Sequence, residues 1–283
     1  MPLDEPPGIA HDPKISRRGF GLASLAAGSA AAAPALSADG IMEMDVSVPT
    51  PDGTCDAAFY HGKKARPGVV MIPDVVGLRP VFRQMGRRLA SAGFSVLVPN
   101  PYYRDAKAPV VGPDFDFSNP EHRVRLGPLR GKLTPENVVK DTSAHVDWLA
   151  ANKHVSKARM GFTGYCMGGA IVVRAAAARP DRVGAGASWH GGGLTTDAPD
   201  SPHLLAPRIK AAMYFGVAKD DDAKQPEGKT ILAEAFKAAG GDATVRVYQA
   251  NHGWCVPGSH AYNEASAELA WAEMLKLFRR ALV

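Results

Sequence analysis

Cys166 stands in the run Gly164-Tyr165-Cys166-Met167-Gly168-Gly169 and is one of only three cysteines in the chain. A cysteine bracketed by glycines is either a small buried hydrophobe or a thiol pushed into open space on a turn too tight for neighbouring side chains. The second reading requires a base and an acid elsewhere. The triplet Asp220-Asp221-Asp222 and then Asn251-His252-Gly253 follow in that order. An imidazole can take the thiol proton and later give one to a leaving group, while a carboxylate behind it fixes the tautomer and offsets the imidazolium charge. That chemistry is acyl transfer through a covalent cysteine intermediate. Any of the three aspartates could serve; Asp221 is preferred because two residues separate it from Ala218 at the expected strand end.

Acyl transfer also needs amide donors for the developing oxyanion. A helix beginning just after Cys166 aims the Met167 amide at that oxygen and favours the thiolate. A second amide is expected from Val75 in Asp74-Val75-Val76-Gly77, after the first long apolar run. Asp74 is expected to orient the resting thiol, with a plain turn-forming acid as the alternative. His190 before Gly191-Gly192-Gly193, and Tyr165 and Trp254 beside Cys166 and His252, are expected to line the substrate pocket. Ser188 lacks the glycine bracket of a nucleophile. His145 reads as a helix-surface or core histidine, and Cys255 as a packing thiol. His61, His122, His154, His203 and His260 show no metal-ligand spacing, and neither metal nor cofactor is expected.

These residues must be held at the ends of strands. Residues 67–73 form a continuous apolar run rich in β-branched residues, the pattern of a strand covered on both faces, followed by a helical stretch and a second such run at 94–99. Thr50-Pro51-Asp52-Gly53 reads as a hairpin turn. Helix resumes near 136–153, and strands are expected at 158–166, 183–191, 209–219 and 243–249, with helices between them and at the C-terminus. Strands alternating with helices predict a mostly parallel sheet with helices on both faces and sites outside the strands' carboxyl ends. The intervening segment from Asn100 to Pro135 is rich in proline and glycine and has no period; over that sheet edge it would form a cap.

The N-terminus is read apart. Ser16-Arg17-Arg18-Gly19-Phe20 precedes a weakly apolar, alanine-rich stretch with no acidic residue before Asp39, the pattern of a twin-arginine signal peptide over residues 1–38, cut after Ala35 or Ala38. It predicts export to the periplasm, with the twin-arginine machinery as the precursor's partner. No later run is long enough for a membrane anchor. Residues 39–283 then suit one large α/β domain, read as a monomer or dimer. The net charge of +5 includes the cations of the leader, and without a basic stripe it gives nucleic-acid binding no support. Cys55 and Cys255 could pair in an oxidising compartment, but three scattered cysteines are no disulfide scaffold.

With the nucleophile, acid and histidine in this order, the chain resembles the dienelactone hydrolase (carboxymethylenebutenolidase) family of α/β-hydrolases. The matching residues are Met71 to Gly77, Pro101-Tyr102-Tyr103-Arg104, Gly164 to Gly169, Val217 to Asp222 and Asn251-His252-Gly253-Trp254, within residues 41 to 281. The resemblance implies a Cys166–Asp221–His252 triad hydrolysing a lactone or small ester, oxyanion amides at Val75 and Met167, and an Arg104 that grips a substrate carboxylate. Two positions depart from the family's type enzyme: Asp74 replaces a glutamate, and Val256 replaces a second carboxylate-binding arginine. A different or less acidic ester follows. A thioesterase or amidase would use the same triad, and a binding module that kept the fold would use none of it.

Overall fold

The computed structural model describes residues 40–283 except Pro113 and Ser118, together with the backbone of Ala35–Leu36. The expected signal peptide otherwise lies outside the described residues. The architecture is an α/β-hydrolase fold: eight strands of five residues or more, with the two-residue Ala35–Leu36 (β1) added at one edge, form a mixed sheet. In chain order the strands are β2 (Met42–Thr50), β3 (Gly53–His61), β4 (Gly68–Ile72), β5 (Ser95–Pro99), β6 (Met160–Tyr165), β7 (Val183–Trp189), β8 (Ala212–Ala218) and β9 (Ala243–Tyr248). Their spatial order is β1-β2-β3-β5-β4-β6-β7-β8-β9; β1, β2 and β3 pair antiparallel, and all contacts from β5 to β9 are parallel.

The expected hairpin is present, with Thr50 opposite Gly53 across a two-residue turn. Strands β4, β5, β6 and β7 are buried at every residue, as continuous apolar runs require, whereas the edge strand β9 alternates half-buried and exposed positions up to the buried Tyr248. Helices α1 (Pro80–Ser91) and α8 (Glu264–Leu282) cover one face through Phe82, Met85, Leu89, Met274, Leu277 and Phe278. Helices α4 (Pro135–Ala151), α5 (Met167–Ala178) and α7 (Gly228–Ala238) cover the other through Val146, Leu149, Val172, Val173, Leu232 and Phe236. Each such fully buried side chain contributes roughly 1.5–3 kcal/mol over leaving it exposed. Local signals set the helix starts: proline occupies the first turn of α1 and α4, and Thr134 accepts from the Asn137 amide at 3.2 Å.

The segment without period carries two short helices, α2 (Pro120–Val124) and α3 (Leu126–Gly131). The acidic triplet is not an open loop; it forms the first turn of α6 (Lys219–Lys224), where carboxylates complement the helix N-terminus. Cys55, Cys166 and Cys255 are all free thiols. Cys55 belongs to the core on one face of the sheet and Cys255 to the core on the other, so the pairing weighed from sequence is not formed. His145 is a core histidine: burial pushes its pKa down to about 4, and neither ring nitrogen has a partner among the described residues.

Candidate active site

Strand order reverses around β4. The chain runs from β4 to β5 on one side and later returns to β6 on the other, so a crevice opens outside their carboxyl ends. Asp74 to Gly77 leaves β4 at this crevice, and Cys166 leaves β6 beside it. Cys166 itself has φ 53° and ψ −116°, a conformation costly for any residue with a Cβ. Its neighbours show why glycine surrounds it. A Cβ on Gly164 would lie 2.2 Å from the Gly168 carbonyl oxygen, and one on Gly168 would lie 2.7 Å from that of Ile72. On Gly169 it would meet Ser188 Oγ at 2.3 Å. The turn therefore closes only because three side chains are absent.

His252 follows β9 and faces this turn. Its Nδ1 lies 2.6 Å from Asp221 Oδ2, and Cys166 stands close enough to its ring to raise its pKa. The three acids have separate tasks: Asp220 accepts from the His252 backbone amide at 2.8 Å, Asp221 holds the ring, and Asp222 pairs with Lys229 at 2.6 Å. Desolvation works to lower the His252 pKa, but hydrogen bonds and charge from Asp221 and Cys166 outweigh it and raise the value to about 10. The imidazole is thereby held protonated through neutral pH and is placed to donate.

Val75 and Met167 flank the sulfur from the two strand ends and line the space in front of it. Tyr102, buried behind them, donates from its hydroxyl to the Val75 carbonyl at 2.7 Å and so pins the turn that carries the Val75 amide. Nothing in the sequence distinguishes Tyr102 from Tyr103, whose hydroxyl lies 2.7 Å from Asp141.

Several expected contacts fall elsewhere. Asp74 does line the cavity with Cys166, but its carboxylate is taken bidentately by Arg79 at 2.7 and 2.8 Å and by the Val76 amide at 2.9 Å. It is the turn-forming acid, and no hydrogen bond joins it to the thiol among the described residues. Arg104 lines neither cavity at Cys166. Its guanidinium is held by Asp141 at 2.7 and 2.8 Å and by Asp52 at 2.7 Å, because the hairpin turn and α4 bring two carboxylates to it. Tyr165 packs on Phe82 and lines a small separate cavity between α1 and α8 with Trp271 and Cys255. Trp254 is fully buried and stacked on Tyr248, with ring centroids 5.0 Å apart. Both residues are core rather than substrate contacts.

His190 lines the cavity and does more than expected there. It has φ 39°, its ring centroid lies 4.8 Å from that of His252, and its Nδ1 accepts the Cys166 backbone amide at 3.1 Å. Accepting at Nδ1 places the ring proton on Nε2, a buried atom with no partner among the described residues. Burial and the neighbouring His252 hold the His190 pKa well below that of a free imidazole. A neutral ring thus backs the nucleophile turn without placing a second cation beside His252.

Two lobes of one crevice meet at Cys166, Val75 and Phe117. The larger, about 800 Å³, holds His252, His190 and Val256 and is walled by Pro109, Val111 and Phe115 of the segment between β5 and α4. The smaller, about 550 Å³, lies between Met167, Ile171 and Arg174 of α5 and Arg123, Leu126 and Arg130 of that same segment. This segment therefore caps the site. Its lining residues are invisible in the sequence because they share no period and lie far from Cys166 along the chain. Among the described residues no three metal-ligating side chains converge, and no helix is long and apolar enough to cross a membrane.

Comparison with known proteins gives the family and the fold. The model of the dienelactone hydrolase family matches residues 55–282. A Salmonella typhi protein provisionally named a carboxymethylenebutenolidase is 27% identical over 250 residues, covering 81% of this chain and 89% of its own. Carboxymethylenebutenolidase 1 of Cupriavidus pinatubonensis is 27% identical over 221 residues, covering 77% and 89%. The crystal structure of a Klebsiella pneumoniae protein provisionally named a dienelactone hydrolase superposes with a TM-score of 0.75 at 23% identity, covering 85% of this chain and 99% of that one.

Proposed function

Because the chain belongs to the dienelactone hydrolase family, we propose that it hydrolyses a lactone or small carboxylic ester with Cys166 as nucleophile, His252 as acid and base, and Asp221 behind the histidine. The observation that carries this reading is the grouping of Cys166 and His252 in one crevice, with Asp221 holding the imidazole from behind and a strained turn presenting the sulfur. Cys166 Sγ, its proton passed to His252, attacks the acyl carbonyl carbon, and the negative oxygen formed is received by the Val75 and Met167 amides. The carbon–oxygen bond to the alcohol then breaks, and the alkoxide takes a proton from His252. Water, giving a proton back to His252, attacks the thioester and releases the acid and the Cys166 thiolate, again paired with the protonated imidazole. Balance is complete without a cofactor.

Cys166→Ala, with the fold retained by circular dichroism, is expected to abolish turnover of activated esters and lactones and to remove an acyl adduct located on Cys166 by intact mass. Undiminished turnover would exclude the assignment. The Arg17-Arg18 segment supports export as part of the same proposal. Exchange of both arginines for lysine is expected to leave the precursor in the cytoplasm on fractionation, and unchanged export would reject the twin-arginine route.

A further inference from the structure

The two lobes differ in charge, and the difference comes from side chains that the bond-breaking chemistry leaves unused. The smaller lobe is lined by Arg123, Arg130 and Arg174 and, among the described residues, by no carboxylate. Arg174, with 15% of its side chain exposed, donates to the Asp200 carbonyl at 2.8 Å and pairs with the half-exposed Asp200 carboxylate at 3.5 Å, so it carries less free charge into the lobe than Arg130. Arg123 donates to the Phe117 carbonyl at 3.1 Å. Arg130 makes no ion pair or side-chain hydrogen bond among the described residues. The larger lobe is different: its walls are mainly apolar, its Asp74–Arg79 pair is internally neutralised, Asp116 adds a second acidic residue, and Val256 lies beside the histidine.

The position of His252 decides which part of an ester enters which lobe. A leaving alkoxide must lie within reach of the imidazole that protonates it, and His252 lines the larger lobe but not the smaller. The alcohol part therefore occupies the apolar lobe. The acyl chain, on the other side of the carbonyl carbon, points past Met167 into the arginines. Guanidinium groups in a recess partly shielded from water bind a carboxylate or similar oxyanion through charge-assisted, often bidentate hydrogen bonds.

We infer that the acyl part of the substrate carries an acidic group, received by Arg130 with Arg123 and Arg174, and that the leaving alcohol is uncharged. The inference rests on the hydrolase reading above. It moves the charge recognition that the resemblance assigned to Arg104 onto the cap and α5, on the opposite side of the scissile bond from Val256.

The test compares para-nitrophenyl hydrogen adipate with para-nitrophenyl methyl adipate, which share a leaving group and differ in charge at the far end of the acyl chain. A second pair, para-acetoxybenzoate and its methyl ester, carries the charge on the leaving side. Expected is a kcat/KM ratio of about tenfold or more for the acidic adipate, the size of one charge-assisted contact, which falls as salt is added. The acetoxybenzoate pair is expected to show no such gain. Arg130→Gln should bring the adipate ratio toward one and Arg130→Glu below it; a ratio of two substrates on one enzyme cancels any loss of folded protein. Turnover of both adipates without preference, or a preference indifferent to R130Q and R130E, overturns the inference while leaving the hydrolase reading standing. Absence of both turnover and a Cys166 adduct overturns the two together.

Discussion

Replacing Asp221 by asparagine tests the central electrostatic claim. The change keeps the size of the side chain but removes the charge 2.6 Å from His252 Nδ1. His252 stands at about 10 against an ordinary 6.5, a gap worth roughly 5 kcal/mol in favour of the imidazolium. Asp221 and Cys166 supply the raising contributions in comparable kind, each by a hydrogen bond and by charge, against a desolvation that persists in the variant. Loss of one partner is therefore expected to lower the His252 pKa by at least on the order of two pH units. The direction follows from the sign. A raised histidine keeps its proton until the pH climbs through the folded value, so weakening it brings deprotonation to lower pH. In kcat/KM profiles for a neutral activated ester, the alkaline limb should move down by that amount, and the maximum should fall by a factor on the order of 10³ through loss of tautomer control. The same linkage predicts that the pair's contribution to stability is complete below pH 6.5 and fades as pH rises through 10. An alkaline limb that does not move in D221N would refute the pairing as the source of the raised value.

Gly168→Ala places a methyl 2.7 and 2.9 Å from two backbone carbonyls at the end of β4. It should cost about 1–3 kcal/mol or more in thermal unfolding and lower kcat by prising Met167 from Val75, whereas Gly62→Ala, with open space around it, should be near neutral. Arg104→Ala breaks an ion pair whose partners are 11% and 9% exposed. A loss of about 3 kcal/mol in denaturant titration with KM unchanged is expected; a raised KM with full stability would instead make Arg104 a substrate clamp. His145→Leu removes a buried base held at about 4. Since the unfolded chain takes up a proton that the folded chain refuses, stability should fall by about 3 kcal/mol between pH 6.5 and 4 in the parent and by less in the variant. Urea midpoints across that range decide it.

The buried strands were readable because a segment covered on both faces must be apolar at every position, as in Gly68–Ile72 and Met160–Tyr165. The cap was not: α2 and α3 are too short for a period, and their role depends on what lies beneath them. Arg104 shows the limit of carrying over a residue from a motif. The arginine is present, but Asp52 and Asp141, 52 and 37 residues away, claim it. Asp74 shares that fate five residues from Arg79. Tyr165 adjoins Cys166 yet points into the core because successive residues on a strand face opposite ways, and Trp254, two residues past His252, is carried into the core by the turn that follows and stacks on Tyr248.

The glycine bracket, the order of nucleophile, acid and histidine, and the alternation of strands with helices are local or ordinal properties, and the sequence alone determined them. Such properties suffice for the fold class and the candidate chemistry. Which of three adjacent aspartates reaches His252, what holds the charge of each arginine, and which lobe receives each side of a scissile bond are properties of distance between residues remote in the chain. Coulombic and hydrogen-bond energies change over a few ångströms, and only tertiary structure brought Asp221 to His252, took Arg104 out of the crevice and put Arg130 within it.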